Sequence, residues 1–457
     1  MNVTGAFGTT SKEAVGVVVI DTGISRNLPD PMRSAIDYED GVALTSFVDD
    51  LASLGVCNDT GTYTFSNLTL VEYLWPPFNY TLPTDVSFRY CLVADRDENS
   101  TLVILQAEEL SDQVGHGTFV ASQIVGDFDG VTKYVYSSPY SNIIERAEYV
   151  DKVVTGVAAP STGARVYVIP IKADFLILYS WDNAYSTLKE FLGNVSVEVS
   201  DGVYYLKNTV IDGGYFDDYS LGNATIVASK LAREGKAKVV NFSLGWWTDY
   251  TGLDISCRAV ISPLLESGLT VVAAAGNNGI DIELFNQAYD LYLFPAQCDG
   301  VIAVSAFGPA NDLAWFSNYD PATFGAPGHV VLGLYPGDSM LAMASLWETS
   351  PYGGDSNSNL LTWSSCTSYS SPEVAGAIAY LYSLGLTLDD IKNNARDVAL
   401  KKYSGYGFPA VGDYLRLLNQ HSSSEDEESS AGTNRVPALG VLALPFLGKL
   451  RRRFASK

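Results

Sequence analysis

The chain alternates short, wholly apolar runs with longer amphipathic ones. Val15–Ile20 is apolar and β-branched and ends in Asp21-Thr22-Gly23, which reads as a buried strand entering a turn. Ala164–Ile171, Ala237–Phe242, Leu269–Ala275 and Gly300–Ala306 are runs of the same kind. Continuous apolar runs, unlike alternating ones, suit strands covered on both faces. Helical patterns such as Ala228–Glu234 and Arg258–Glu266 lie between several of them. This alternation predicts an α/β fold, with a mostly parallel central sheet and helices on both faces.

Two segments break that rhythm. Asp49–Glu108 is rich in Thr, Asn, Tyr and Pro, and Tyr179–Tyr219 in Tyr and Asp. Both are expected to be surface insertions with small β-structures of their own. After Leu418 the composition changes again. Ser422–Ser430 (SSSEDEESS) is an acidic stretch with no means of packing. Val436–Leu450 is mostly apolar, but its length of about 15 residues falls short of the roughly 20 a spanning helix needs. Pro437 and Pro445 interrupt it, and Arg451-Arg452-Arg453 follow. The expected organisation is a domain over 1–420 with insertions near 49–108 and 179–219, a linker over 421–435, and a hydrophobic and basic sorting tail over 436–457.

With 47% apolar and 12% aromatic residues, the 457-residue chain cannot be wholly disordered. A net charge of −24 argues against binding nucleic acid or an anionic membrane through the body of the protein. The cysteines Cys57, Cys91, Cys257, Cys298 and Cys366 show no CxxC pair and no metal-ligand spacing. In an oxidising compartment Cys57 can pair with Cys91 and Cys257 with Cys298, leaving Cys366 as a thiol; the spacing does not fix that pairing. Met1–Glu13 has neither a basic nor an apolar signal region, so either the protein is cytosolic or its true start lies upstream.

The chain has three histidines. His329 follows Ala326-Pro327-Gly328 in a turn-like stretch and His421 opens the acidic tail, so both read as structural or solvated. His116 stands in Val114-Gly115-His116-Gly117-Thr118, just ahead of the helix-like Phe119–Val125. Asp21 lies at the carboxyl end of a central strand, where α/β sheets gather functional groups. Ser368, in Cys366-Thr367-Ser368-Tyr369-Ser370-Ser371-Pro372, leads into a buried helix, whose N-terminus can stabilise a developing oxyanion. Asn277 ends the small-residue strand Val271–Gly276 and can donate to the same oxyanion. Singly, each has a plain alternative: an Asx turn, a helix cap, a turn asparagine.

Together they occur in the chain order Asp–His–Ser, and the sequence resembles the subtilisin-like serine proteases over about 400 residues. Gly156–Pro160 with Val166–Ile171, Val239–Gly245, Phe294-Pro295-Ala296, Phe316-Ser317-Asn318 and Gly325–Gly328 follow the family in order. The resemblance implies a three-layer subtilisin-like fold and a secreted serine endopeptidase of fairly broad specificity acting on proteins and peptides. It makes Ser368 the nucleophile, His116 the base, Asp21 its orienting carboxylate and Asn277 the oxyanion donor. Ser243, Leu244, Gly245, Ala274, Ala275 and Gly276 would bind the extended substrate. No cofactor is needed for the chemistry; structural calcium is a family expectation for which the sequence shows no ligand set.

Cys366 stands where the family usually has glycine, and Ser370 where it has alanine. If the first position needs close approach or an unusual backbone angle, Cys366 costs geometry. The tail is similar to bacterial C-terminal sorting signals of the GlyGly-CTERM and PEP-CTERM kind, which implies export, a sorting protease as partner and a secreted or cell-surface, monomeric product. Asn-x-Ser/Thr sites such as Asn58, Asn67 and Asn79 also suit a eukaryotic secretory origin. Two rival readings are an aspartic peptidase built on the Asp-Thr-Gly triplets at Asp21 and Asp59, and a catalytically degenerate surface or binding protein on the subtilisin fold.

Overall fold

The first apolar run becomes a strand, β1 (Val15–Asp21), buried at every residue. Six more strands join it: β2 (Val42–Ala43), β3 (Val166–Lys172), β4 (Val239–Phe242), β5 (Thr270–Ala274), β6 (Ile302–Phe307) and β7 (Phe324–Pro327). Their order across the sheet is β7-β6-β5-β4-β1-β3-β2, and every pairing is parallel. The register sets Asp21 beside Lys172 at the sheet's carboxyl edge. The computed structural model describes residues 13–65, 69–72, 78–81, 86–94, 101–136, 144–180, 209–319, 322, 324–336 and 360–395, all within Met1–Leu415.

One face of the sheet is covered by helix α2 (Asp218–Arg233) and the helical segment Ser262–Glu266. Leu221, Ala224, Leu231 and Leu264 pack there on Val18, Ile20, Ile169, Val240 and Phe242. Full burial of such a side chain contributes about 1.5–3 kcal/mol. Asp217 caps α2, its carboxylate accepting from the N–H groups of Tyr219 and Ser220. Helices α1 (His116–Val125) and α3 (Thr367–Ser383) pack on each other and on the strands. All residues of α3 except Tyr382 are buried, so it is enclosed on every side, its polar Thr367, Ser368 and Glu373 included.

The two insertions build one structure between them. Asp59–Phe65, Val86–Ala94 and Thr101–Ala107 from the first join Phe175–Ser180, which runs into the second, and Thr209–Tyr215, which lies near its end, in a five-stranded antiparallel sheet. Among the described residues, neither segment enters the parallel sheet. They are not merely superficial, however: Val86, Phe88, Leu92, Val103 and Leu105 are buried. The Cys57–Cys91 disulfide links the residues just before one strand to the middle of its neighbour, and Cys257–Cys298 makes a second bridge, leaving Cys366 a thiol.

The turn-like reading of Ala326-Pro327-Gly328 is corrected for its first two residues by β7, which among the described residues is an edge strand, a position that tolerates Pro327. The linker and sorting tail, and with them His421, lie outside the described residues.

Candidate active site

Asp21 sits at the end of β1 with its carboxylate buried. Its Oδ1 accepts the Thr22 N–H at 2.8 Å and lies 2.8 Å from His116 Nδ1. A carboxylate on Nδ1 holds the proton there and leaves Nε2 as the acceptor. Burial disfavours the imidazolium, but Asp21 first, then Asp112 and Asp174, outweigh it, and His116 is raised above its ordinary 6.5.

The glycines flanking His116 have separate steric causes. Gly115, the N-cap of α1, has φ 90°, which an L side chain resists. At Gly117 a Cβ would lie 2.2 Å from the Gly23 carbonyl oxygen, so only glycine lets the helix approach the Asp21 turn.

Asp112 is a positioning residue that the sequence reading missed. Its Oδ1 accepts from Thr22 Oγ1 at 2.8 Å and Gly115 N at 2.7 Å, and its Oδ2 from Thr118 N at 2.8 Å. One carboxylate thus joins the turn after Asp21 to the first turn of α1. Burial raises Asp112 to about 6, against the opposing pull of Lys172 and the hydrogen bonds from Thr118 and Gly115. Lys172, also buried, donates to the Thr22 carbonyl at 2.6 Å and pairs with Asp174 at 2.8 Å. The available signal was an aspartate at Asx-turn spacing before Gly115.

Ser368 is the second residue of α3. Pro372, four residues on, has no N–H to give the Ser368 carbonyl. Ser243 Oγ donates to that carbonyl instead, at 2.7 Å, and accepts in turn from Asn241 Nδ2 at 2.9 Å. The helix start is thereby tied to the end of β4. Ser368 Oγ donates to the Ser243 carbonyl at 3.0 Å and receives the Cys366 thiol at 3.1 Å. Its proton points at that carbonyl, not at the imidazole. The Tyr369 ring nevertheless lies 5.9 Å from that of His116, so the two halves face each other.

Asn277 Oδ1 accepts from Thr367 N at 2.8 Å and Thr367 Oγ1 at 2.9 Å, and its Nδ2 donates to Cys366 Sγ at 2.9 Å. Cys366 itself is extended, φ −168° and ψ 152°, so its backbone is unstrained, while its sulfur lies against Asn277 and Ser368.

Two cavities meet along Ser243-Leu244-Gly245. One of about 380 Å³ contains His116 and is walled by Gly213–Phe216 and Trp246. The other, of about 400 Å³, contains Asn277 and Ser368 and is walled by Trp247, Ala274, Gly276 and Leu293. Ala275 lines neither: it is fully buried, its N–H bonded to Val304 in the next strand. Gly213–Tyr215 were missed because they belong to the second insertion. His329 is buried against Phe316 with Nδ1 3.0 Å from Ser365 Oγ, as a structural histidine should be. Asp59 receives the Tyr90 hydroxyl on the antiparallel sheet, away from any shared proton with Asp21. Among the described residues no group of three or more His, Cys, Asp or Glu side chains is placed to hold a metal ion.

An Asp–His pair and a serine at a buried helix start, gathered at the carboxyl edge of a parallel sheet, define the class: an α/β protein with the constellation of a nucleophilic serine hydrolase. The subtilase family profile (peptidase S8) matches residues 12–402, and the chain belongs to that family. Subtilisin-like serine protease Pen c 2 of Penicillium citrinum is 32% identical over 167 residues, 35% of this chain and 30% of that protein. Subtilisin of Bacillus pumilus is 29% identical over 224 residues, 49% of this chain and 69% of that protein. The chain thus spans less than a third of the Penicillium protein. A lanthipeptide protease crystal structure aligns with 88% of this chain and 87% of its own, at 16% identity and a TM-score of 0.48.

Proposed function

We propose that the chain is a serine endopeptidase that hydrolyses protein and peptide substrates through an acyl-enzyme. The observation that carries this reading is the 2.8 Å Asp21–His116 contact facing a serine at the start of α3. Ser368 Oγ turns from the Ser243 carbonyl toward His116 Nε2, gives up its proton and attacks the scissile carbonyl. Asp21 steadies the imidazolium. Asn277 Nδ2 and the Ser368 backbone N–H take the oxyanion, and His116 then protonates the leaving amine.

An extended substrate would lie between Gly213–Tyr215 and Ser243–Gly245, with a side chain in the pocket beside Ala274 and Gly276. Binding through main chain tolerates many sequences, which supports broad specificity. No charged side chain lines the 400 Å³ pocket, which favours neutral substrate side chains there. Two disulfides support export to an oxidising compartment. The tail over 436–457 is read as a sorting signal removed by a partner protease, and the mature product as a monomer. Calcium is assigned no ligands.

A fluorophosphonate probe should label Ser368 and no other residue, and labelling should vanish in Ser368→Ala. An unlabelled wild-type protein would favour the degenerate binding-protein reading, for which the sulfur of Cys366 against Asn277 and Ser368 is the one supporting observation. Mass spectrometry of the exported protein should find 436–457 missing; an intact Lys457 would overturn the sorting reading.

A further inference from the structure

We propose that Cys366 is a gate on the oxyanion site: its sulfur occupies the seat between Asn277 Nδ2 and the Ser368 N–H that the scissile carbonyl oxygen must take. This inference rests on the peptidase reading. Asn277 Nδ2 donates to Cys366 Sγ at 2.9 Å, and the thiol donates to Ser368 Oγ at 3.1 Å. Cys366 Sγ thus lies within hydrogen-bond reach of both the Asn277 amide and the Ser368 side chain. One of the two donors required by a developing oxyanion, Asn277 Nδ2, is therefore engaged by this side-chain atom at 2.9 Å, within the range of about 2.7–3.1 Å at which an oxyanion is bound.

Asn277 cannot turn away to make room. Its Oδ1 is held by both the N–H and the hydroxyl of Thr367, at 2.8 and 2.9 Å, so the plane of the amide is fixed. The sulfur is the part that can move. It hangs on a single χ1 torsion, is a weak donor and a weak acceptor, and belongs to a half-buried residue whose backbone is extended and unstrained. Swinging to another rotamer frees the Asn277 donor and clears the seat beside it in one step. The same rotation withdraws the S–H from Ser368 Oγ, whose hydroxyl is now directed at the Ser243 carbonyl at 3.0 Å. Cys366 is thus a positioning residue whose rotamer couples the two parts of the nucleophile's setting.

The test compares the full chain with its Cys366→Gly, Cys366→Ala and Ser368→Ala variants on casein and on a chromogenic peptide. Circular dichroism and Tm report folding. Removing the sulfur should raise kcat roughly five-fold, the equivalent of one weak hydrogen bond no longer broken on the way to the transition state, with KM changed less than about two-fold. In a second arm the wild-type protein is treated with methyl methanethiosulfonate. The Cys366 thiolate attacks the reagent's sulfenyl sulfur, methanesulfinate leaves, and the thiol proton passes to solvent. Activity and fluorophosphonate labelling should be lost together and return with mild thiol, while Cys366→Gly should be insensitive.

A folded Cys366→Gly with unchanged or lower kcat would overturn the gate while leaving the peptidase intact. So would full activity with Cys366 shown by mass spectrometry to carry the thiomethyl group, and this arm decides the matter if the variants misfold. If wild type and Cys366→Gly both lack Ser368-dependent hydrolysis, the peptidase reading and the gate fall together.

Discussion

The two halves of the candidate site are held by different forces. The half around His116 is charged and buried: Asp21, Asp112, Lys172 and Asp174 surround the imidazole and its turn, and the Asp21–His116 contact is closed. The half around Ser368 is neutral, made of hydroxyl, amide, thiol and carbonyl groups, and it is set for something other than attack: Ser368 points at Ser243 and Asn277 at Cys366. Charge interactions in a buried setting are strong and leave the base no alternative partner. Neutral hydrogen bonds of modest net strength let single torsions choose among partners. The difference places readiness in the first half and adjustability in the second.

Ser368→Ala is the severest way to break this comparison. It should abolish measurable peptidase activity while leaving circular dichroism unchanged, with only about 10³–10⁴ over the uncatalysed rate surviving. Full activity in that variant would remove the nucleophile from the second half altogether.

Asp21→Asn attacks the charged half and should lower kcat by about 10⁴, the loss known when the orienting carboxylate of such a triad is neutralised. It also changes the pH profile. His116 must be neutral to accept a proton, and its pKa is raised above 6.5, so kcat/KM of the wild type should fall as pH is lowered through a point above 6.5. Removing the Asp21 charge should move that acid limb to lower pH. A limb that stays in place would show that the charge of Asp21 does not set the base.

Asn277→Ala probes the neutral half and should lower kcat by about 10²–10³, as for the corresponding subtilisin asparagine, with KM little changed. An unchanged kcat would put the oxyanion donor elsewhere.

The smallest expected effect is on stability. Glu373, buried in α3, is raised by desolvation from 4.5 to about 8, which keeps that side chain uncharged at neutral pH. A raised carboxyl contributes stability that is full below pH 4.5 and is lost as pH rises toward 8. Glu373→Gln should therefore match the wild type in Tm near pH 4 and gain on it steadily up to about pH 8. A constant difference across that range would mean that Glu373 ionises while folded without penalty.

The central strands were legible because burial on both faces leaves a continuous apolar run, as in Val15–Ile20 and Leu269–Ala275. β2 and β7 were not: one is two residues long, and the other holds Gly325 and Pro327, which read locally as a turn. The insertions could be delimited by composition. That Thr101–Ala107 would pair with Phe175–Ser180 depends on contacts between distant parts of the chain, which no local pattern encodes. For the same reason Gly213–Tyr215 could not be placed in the cleft beside His116.

By itself the sequence singled out the groups proposed for the chemistry. A single histidine between two glycines, an aspartate ending a buried strand and a serine opening a buried helix each have a plain local alternative, and only their order along the chain drew them together. Tertiary structure alone decided how those groups are engaged. The Asn277 amide meets the Cys366 sulfur across 89 residues, and the Ser368 hydroxyl meets the Ser243 carbonyl across 125. Such contacts are fixed by how α3 seats on the parallel sheet, where the missing N–H of Pro372 draws in Ser243, and by side-chain torsions whose minima differ by no more than a hydrogen bond.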